Sequence, residues 1–170
     1  FKFDSIFELC YLHPNYFKED LSVLKKINIK IDEKFVILRF ISWGAIHDKG
    51  QGGLSLDMKK RAIKELSKYA KVLITSECEL PDEFKKYQIN IKPNQIHSLM
   101  FYADLFFGES GTMAVEAAIL GTPSVRVSTL APYLGNFREL QDTYDLLYFF
   151  SSANKGLEKS IELIKDENSK

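Results

Sequence analysis

Cysteine is scarce in this chain of 170 residues. Cys10 and Cys78 lie far apart and form no redox or metal-spaced pair, which argues against a disulfide framework. An excess of one charge is lacking too: 23 basic and 23 acidic side chains give a formal net charge of zero. Nothing therefore draws the chain nonspecifically to nucleic acid or to an anionic membrane. No apolar run approaches the roughly 20 residues that span a bilayer, and no basic stretch followed by a hydrophobic core opens the sequence. No transmembrane segment is expected, and the expected compartment is the cytoplasm. Both the Gly-Lys-Ser/Thr phosphate loop and the Gly-x-Gly-x-x-Gly dinucleotide fingerprint are missing. No metal site is expected: His13 with Asp4 and Glu8 lacks ligand spacing, and His47-Asp48 offers too few ligands.

What is present is apolar content of 45%, including thirteen Phe, enough for one domain that buries roughly two-thirds of the surface its unfolded chain exposes. Residues 1–20 are aromatic and broken by His13-Pro14-Asn15, and read as a linker or lobe-connecting segment with a short helix; the domain proper is 21–170. Leu21, Leu24 and Ile27 fall at helical spacing. Phe35 to Ile41 is a nearly continuous apolar run, the pattern of a strand buried on both faces of a parallel sheet. A loop from Ser42 to Ser55 follows, holding Trp43, His47, Asp48, Lys49 and four glycines, and then an amphipathic helix from Leu56 to Ala70. Lys71 to Ser76 predicts a second strand, Asp82 to Tyr87 a helical turn, and the alternation Ile89-Asn-Ile-Lys a short strand. Pro93 to Tyr102 predicts a helix capped by Asn94. Later segments continue the alternation: strand from Ser124, helix Pro132 to Tyr144, strand Leu146 to Phe149 and a helix from Asn154 to about Asp166. Strands alternating with helices imply a parallel sheet covered on both faces.

The chain is organised around residues 103–123. Leu105, Phe106 and Phe107 read as a buried strand, Gly108 to Thr112 as a tight polar turn, and Met113 to Leu120 as a helix stopped by Gly121-Thr122-Pro123. A helix N-terminus presents unsatisfied N–H groups and partial positive charge, which together bind phosphate. Ser110 and Thr112 add hydroxyl donors. Glu116, one turn on, interrupts an apolar stretch and can accept from two sugar hydroxyls, so the segment reads as a nucleotide site. The plainer alternative is that Ser-Gly-Thr caps a helix and Glu116 faces solvent.

Glu109-Ser110-Gly111-Thr112, Glu116 and Leu120-Gly121-Thr122-Pro123 resemble the nucleotide-sugar signature of the UDP-N-acetylglucosamine 2-epimerases, in which Asp-Ser-Gly-Gly precedes a Glu and then Leu-Gly-x-Pro. The chain also resembles, over nearly its whole length, a family of GT-B-like proteins known as a domain of unknown function. Tyr11-Leu-His-Pro14, Leu38-Arg-Phe-Ile-Ser-Trp43, His47-Asp48 with Gly53-Leu-Ser55, and Gly108-Glu-Ser-Gly-Thr-Met113 carry that likeness. The resemblance implies an α/β fold, a Rossmann-like three-layer α/β/α arrangement with a mainly parallel sheet, forming one lobe of a GT-B protein.

The same resemblance implies site roles. Glu116 would hold the ribose and Ser110, Gly111 and Thr112 the diphosphate, with Glu109 in the same nucleotide-binding turn. His47 would be the catalytic group, with Lys49 beside it, neutralising charge on a departing nucleotide diphosphate. Ile96 and His97 fall where the 2-epimerases contact uracil. No cofactor is implied, the nucleotide sugar (UDP foremost) being substrate. The expected partners are that nucleotide sugar and an N-terminal GT-B lobe, with no nucleic acid. The chain opens on Phe1 rather than Met and is expected to be a piece of a longer protein, inactive alone. The reaction would be glycosyl transfer in surface polysaccharide synthesis or a 2-epimerase-like elimination. Against these stand the plainer readings: His47 as a loop histidine with one local hydrogen bond, His97 on a helix surface, Glu77 and Glu79 in a solvated loop, and the domain as a GT-B-like binding or interaction module without chemistry. A response-regulator-like domain is disfavoured, because no acidic cluster at strand ends is paired with a suitably placed Lys.

Overall fold

The computed structural model describes residues 5–41, 54–77, 79–128 and 135–166. Two short helices, α1 (Leu9–Leu12) and α2 (Ser22–Lys26), precede the first strand. Strands and helices then alternate: β1 (Phe35–Phe40), α3 (Leu56–Leu66), β2 (Lys71–Ser76), α4 (Asp82–Lys85), a 3-10 turn (Pro93–Gln95) leading into α5 (Ile96–Tyr102), and β3 (Leu105–Gly108). They continue as α6 (Gly111–Ile119), β4 (Ser124–Val127), α7 (Gly135–Asp142), β5 (Leu147–Phe150) and α8 (Ala153–Lys165).

The strands form one sheet in the order β2-β1-β3-β4-β5, and every neighbouring pair is parallel. The fold is α/β and Rossmann-like. Successive side chains of a strand point to opposite faces, so β1 feeds two cores. Val36, Leu38 and Phe40 pack with Leu66 of α3 and Leu157 of α8. Phe35 and Ile37 pack on the other face with Leu99 of α5, Ala117 of α6 and Phe137 of α7. Continuous apolar runs are what this double burial demands.

The strand order also sets where a ligand can go. From β1 the chain moves outward to β2, then returns across the sheet to β3 on the far side of β1, so the connections leaving β1 and β3 part in opposite directions. That divergence opens a crevice at the carboxyl ends of β1 and β3, the usual ligand position in open α/β sheets. Gly108 allows the two strand ends to close up: a Cβ on it would lie 2.5 Å from the Arg39 carbonyl oxygen. Behind α6, Gly121 turns the chain at φ 82°, a left-handed conformation that glycine adopts without strain. Thr122, fully buried, then donates from Oγ1 to the Met100 carbonyl at 2.6 Å and locks this turn to the end of α5.

Two expectations fail. Ile89 to Lys92 forms no strand; Gln88 makes a single bridge to Ile74, with Ile74 N–H donating to Tyr87 O at 2.8 Å and Ile89 N–H to Ile74 O at 3.1 Å. The alternation in 89–92 instead half-buries Ile89 and Ile91 against the core under α5. Asn94 is not a cap: Pro93 starts a 3-10 turn that contains it, and α5 begins at Ile96 with no side-chain cap. No helix among the described residues is long and apolar enough to cross a membrane.

Candidate functional site

The turn between β3 and α6 faces the crevice. Ser110 is the N-cap of α6, its Oγ accepting from the Met113 N–H at 3.4 Å, which leaves the hydroxyl proton free to donate. Gly111 is half-buried and Thr112 exposed in the first turn. Beneath them lies Arg126 of β4, only 8% exposed. Its guanidinium stacks on the Phe137 ring at 4.9 Å, and a Cβ on Gly111 would come within 3.3 Å of its Cζ. Nε donates to the Glu109 carbonyl at 3.4 Å, but Nη1 is buried without a hydrogen-bond partner among the described residues. Burial pushes the guanidinium pKa below its usual value. A buried cation with an unspent donor thus sits directly under a helix N-terminus, and both attract an anion.

Glu109 does something different. It is fully buried, Oε1 accepting from the Leu54 N–H at 2.6 Å and Oε2 from the Ile41 N–H at 3.3 Å. Lys59 Nζ lies 3.8 Å from Oε2. Ile41 and Leu54 are the described residues flanking 42–53, so this carboxylate clamps together the two ends of that connection. Its oxygens are spent on backbone donors rather than presented to a ligand. His47 and Lys49, with Trp43, Asp48 and the neighbouring glycines, lie outside the described residues.

Glu116 does not face solvent. It is 7% exposed, and its Oε1 accepts from the Tyr11 hydroxyl at 2.9 Å. His97 Nε2 lies 3.0 Å from the same oxygen, and because a carboxylate has no proton to give, the ring donates from Nε2. The Tyr11 ring stands 5.6 Å from the His97 ring, with Phe17 at 6.4 Å on another side. His97 is therefore half-buried and engaged, not a free helix-surface residue. Ile96 opens α5 and lines a neighbouring cleft. Glu77 accepts from Arg39 Nη2 at 2.6 Å, and Glu79 is largely exposed.

Of the residues expected at the site, the structure brings Ser110, Gly111 and Thr112 to one helix end, and Glu116 and His97 into direct contact. Sequence reasoning missed Arg126 and Tyr11. Arg126 had a signal, a lone charge inside the apolar strand Ser-Val-Arg-Val. Tyr11 sits in a motif noted for its likeness to a family, yet nothing local points from it to Glu116. Among the described residues no group of three or more His, Cys, Asp or Glu is placed to hold a metal ion.

The architecture is that of one lobe of a GT-B protein. The UDP-GlcNAc 2-epimerase of Methanocaldococcus jannaschii matches with a TM-score of 0.58 and 15% identity, over 90% of this chain and 45% of that one. S. aureus MnaA, solved with UDP, matches with a TM-score of 0.56 and 14% identity, over 95% of this chain and 44% of that one. The chain thus spans less than half the length of these solved structures, and at such identities the likeness is one of fold. No curated protein matches the sequence. Residues 2–148 match the family described as protein of unknown function DUF354, and the chain belongs to that family.

Proposed function

We propose that this domain binds a nucleotide-diphosphate sugar at the crevice between β1 and β3, as the nucleotide-facing lobe of a GT-B glycosyltransferase or a UDP-sugar 2-epimerase-like protein of surface polysaccharide synthesis. The observation that carries the reading is Arg126: a guanidinium buried against Gly111, with Nη1 unspent, under the amino end of α6. Ser110, Gly111 and Thr112 supply N–H and hydroxyl donors to the diphosphate, and Arg126 supplies charge from below. Glu116, on the next turn of the same helix, takes the ribose through Oε2, while Tyr11 and His97 hold Oε1. The fold of MnaA, solved with UDP, supports UDP as the first nucleotide to try. By their resemblance, His47 and Lys49 would counter charge on the departing diphosphate, and a second lobe would bring the acceptor or the epimerising groups. The nucleotide sugar is substrate, with no cofactor.

One observation favours a second reading, a binding module without chemistry: the Glu116 carboxylate is already hydrogen-bonded within the chain. Calorimetric titration with UDP, GDP and CDP separates the two. Saturable binding of one nucleotide, abolished by Glu116→Ala and weakened at least about tenfold by Arg126→Met, is expected. Absence of binding at millimolar nucleotide, or binding indifferent to both variants, overturns the nucleotide reading.

A further inference from the structure

The Glu116 carboxylate meets a ligand with one oxygen already occupied. Oε1 accepts from the Tyr11 hydroxyl at 2.9 Å and from His97 Nε2 at 3.0 Å, whereas Oε2 has no partner among the described residues. A carboxylate offers about four lone-pair sites, two on each oxygen, so Oε1 is saturated. Both donors come from outside α6: Tyr11 stands on α1 and His97 on α5. Their rings are fixed by each other and by Phe7, 6.4 Å from Tyr11, and Phe17, 6.4 Å from His97. Only 10% of the Glu116 side chain is exposed, so turning a fresh oxygen outward would break both bonds.

A ribose presents two neighbouring hydroxyls, and a carboxylate with both oxygens open takes one on each. With Oε1 saturated, that paired grip is closed and Oε2 alone meets the sugar. Resting on the nucleotide reading above, we infer that Glu116 holds one of the two ribose hydroxyls and leaves the other unrecognised. Tyr11 and His97 are the positioning residues that impose this, by occupying Oε1. The substrate class widens accordingly: a nucleoside diphosphate that lacks the unrecognised hydroxyl is accepted nearly as well as the ribonucleotide. The held hydroxyl donates to a charged acceptor, so its removal weakens binding about tenfold or more.

The test is calorimetry with whichever of UDP, GDP and CDP binds best, beside its 2′-deoxy and 3′-deoxy forms. Wild type, Tyr11→Phe and His97→Phe are titrated, and thermal unfolding of each variant confirms its fold. Wild type is expected to bind one deoxy form within about threefold of the ribonucleotide and the other about tenfold or more weakly. Tyr11→Phe keeps the ring and removes the hydroxyl, which opens a lone pair on Oε1. The deoxy form that wild type tolerates should then fall at least about fivefold behind the ribonucleotide, and His97→Phe should act likewise. A merely structural role for either residue would weaken all the ligands alike and leave these ratios unmoved. If wild type loses about tenfold on both deoxy forms, the grip is paired and the inference falls, the nucleotide site standing. It falls in the same way if both variants keep the wild-type ratios, or if neither deoxy form loses affinity. If none of the ribonucleotides binds, the nucleotide reading fails and takes the inference with it.

Discussion

The Tyr11 hydroxyl donates to Glu116 Oε1 at 2.9 Å across 105 residues of sequence, fastening the N-terminal segment to the helix at the centre of the candidate site. Burial, and then the bond to the Glu116 carboxylate, hold this hydroxyl above its ordinary pKa of 10.0. A group whose pKa is raised by folding contributes stability that is complete below the unfolded pKa and is lost as pH climbs through the folded one. The difference in unfolding free energy between wild type and Tyr11→Phe is therefore expected to be flat from about pH 7 to 9 and to shrink above about pH 10. Tyr148, raised by burial and by Asp145, is common to both proteins and cancels. Denaturant unfolding at stepped pH measures the difference, and one that stays constant beyond pH 10 would contradict the bond.

Glu109 gives up both oxygens to backbone donors on either side of 42–53. Glu109→Ala leaves those N–H groups without their acceptor and is expected to cost about 3 kcal/mol, a fall in Tm of roughly 6–12 °C. Glu109→Gln retains one acceptor and should lose about half as much. Calorimetric unfolding decides the matter; an alanine variant as stable as wild type would remove the clamp.

The parts of the fold that were legible in sequence are those set by local pattern. Phe35 to Leu38 and Phe40 must be apolar because helices cover both faces of β1, Arg39 alone emerging near the strand's carboxyl end, and Ser110 caps α6 because its side chain reaches an N–H three residues on. Ile89 to Lys92 misled for a physical reason: alternation marks one wet and one dry face, and a loop lying on the core under α5 has both without joining a sheet. At the site, Glu109 stood beside Ser110 in the motif, but adjacent residues point apart, and only the folded chain shows Glu109 turned toward Ile41 and Leu54. Arg126 was visible as an odd charge, while its position under Gly111 depends on the pairing of β3 with β4. The contact of Tyr11 with Glu116 had no local signal at all.

Thr122 offers a simpler test of how α6 is held. Its hydroxyl, fully buried, is the donor for the Met100 carbonyl at the end of α5. Thr122→Val keeps the volume and removes the donor, and is expected to cost about 1–2 kcal/mol, whereas Thr122→Ser, which keeps the bond, should cost less than about 1 kcal/mol. Equal losses in urea unfolding would mean that the methyl group, not the hydrogen bond, fixes the turn.

Arg126 should behave in the opposite way. An uncompensated buried cation opposes folding, so replacing it with an apolar side chain of similar length is expected to leave stability unchanged or raise it by about 1–2 kcal/mol, despite the lost stacking on Phe137 and the 3.4 Å bond to Glu109. A bound phosphate would supply the partner that Nη1 lacks. Wild type should therefore gain Tm on adding UDP, by an amount that grows with the logarithm of its concentration, and Arg126→Met should gain little. Thermal scans of both proteins with and without UDP read the two effects together. A variant that is less stable by about 3 kcal/mol would instead make Arg126 a structural residue whose bonds within the chain outweigh its burial, and the anion reading of the α6 amino end would lose its main support.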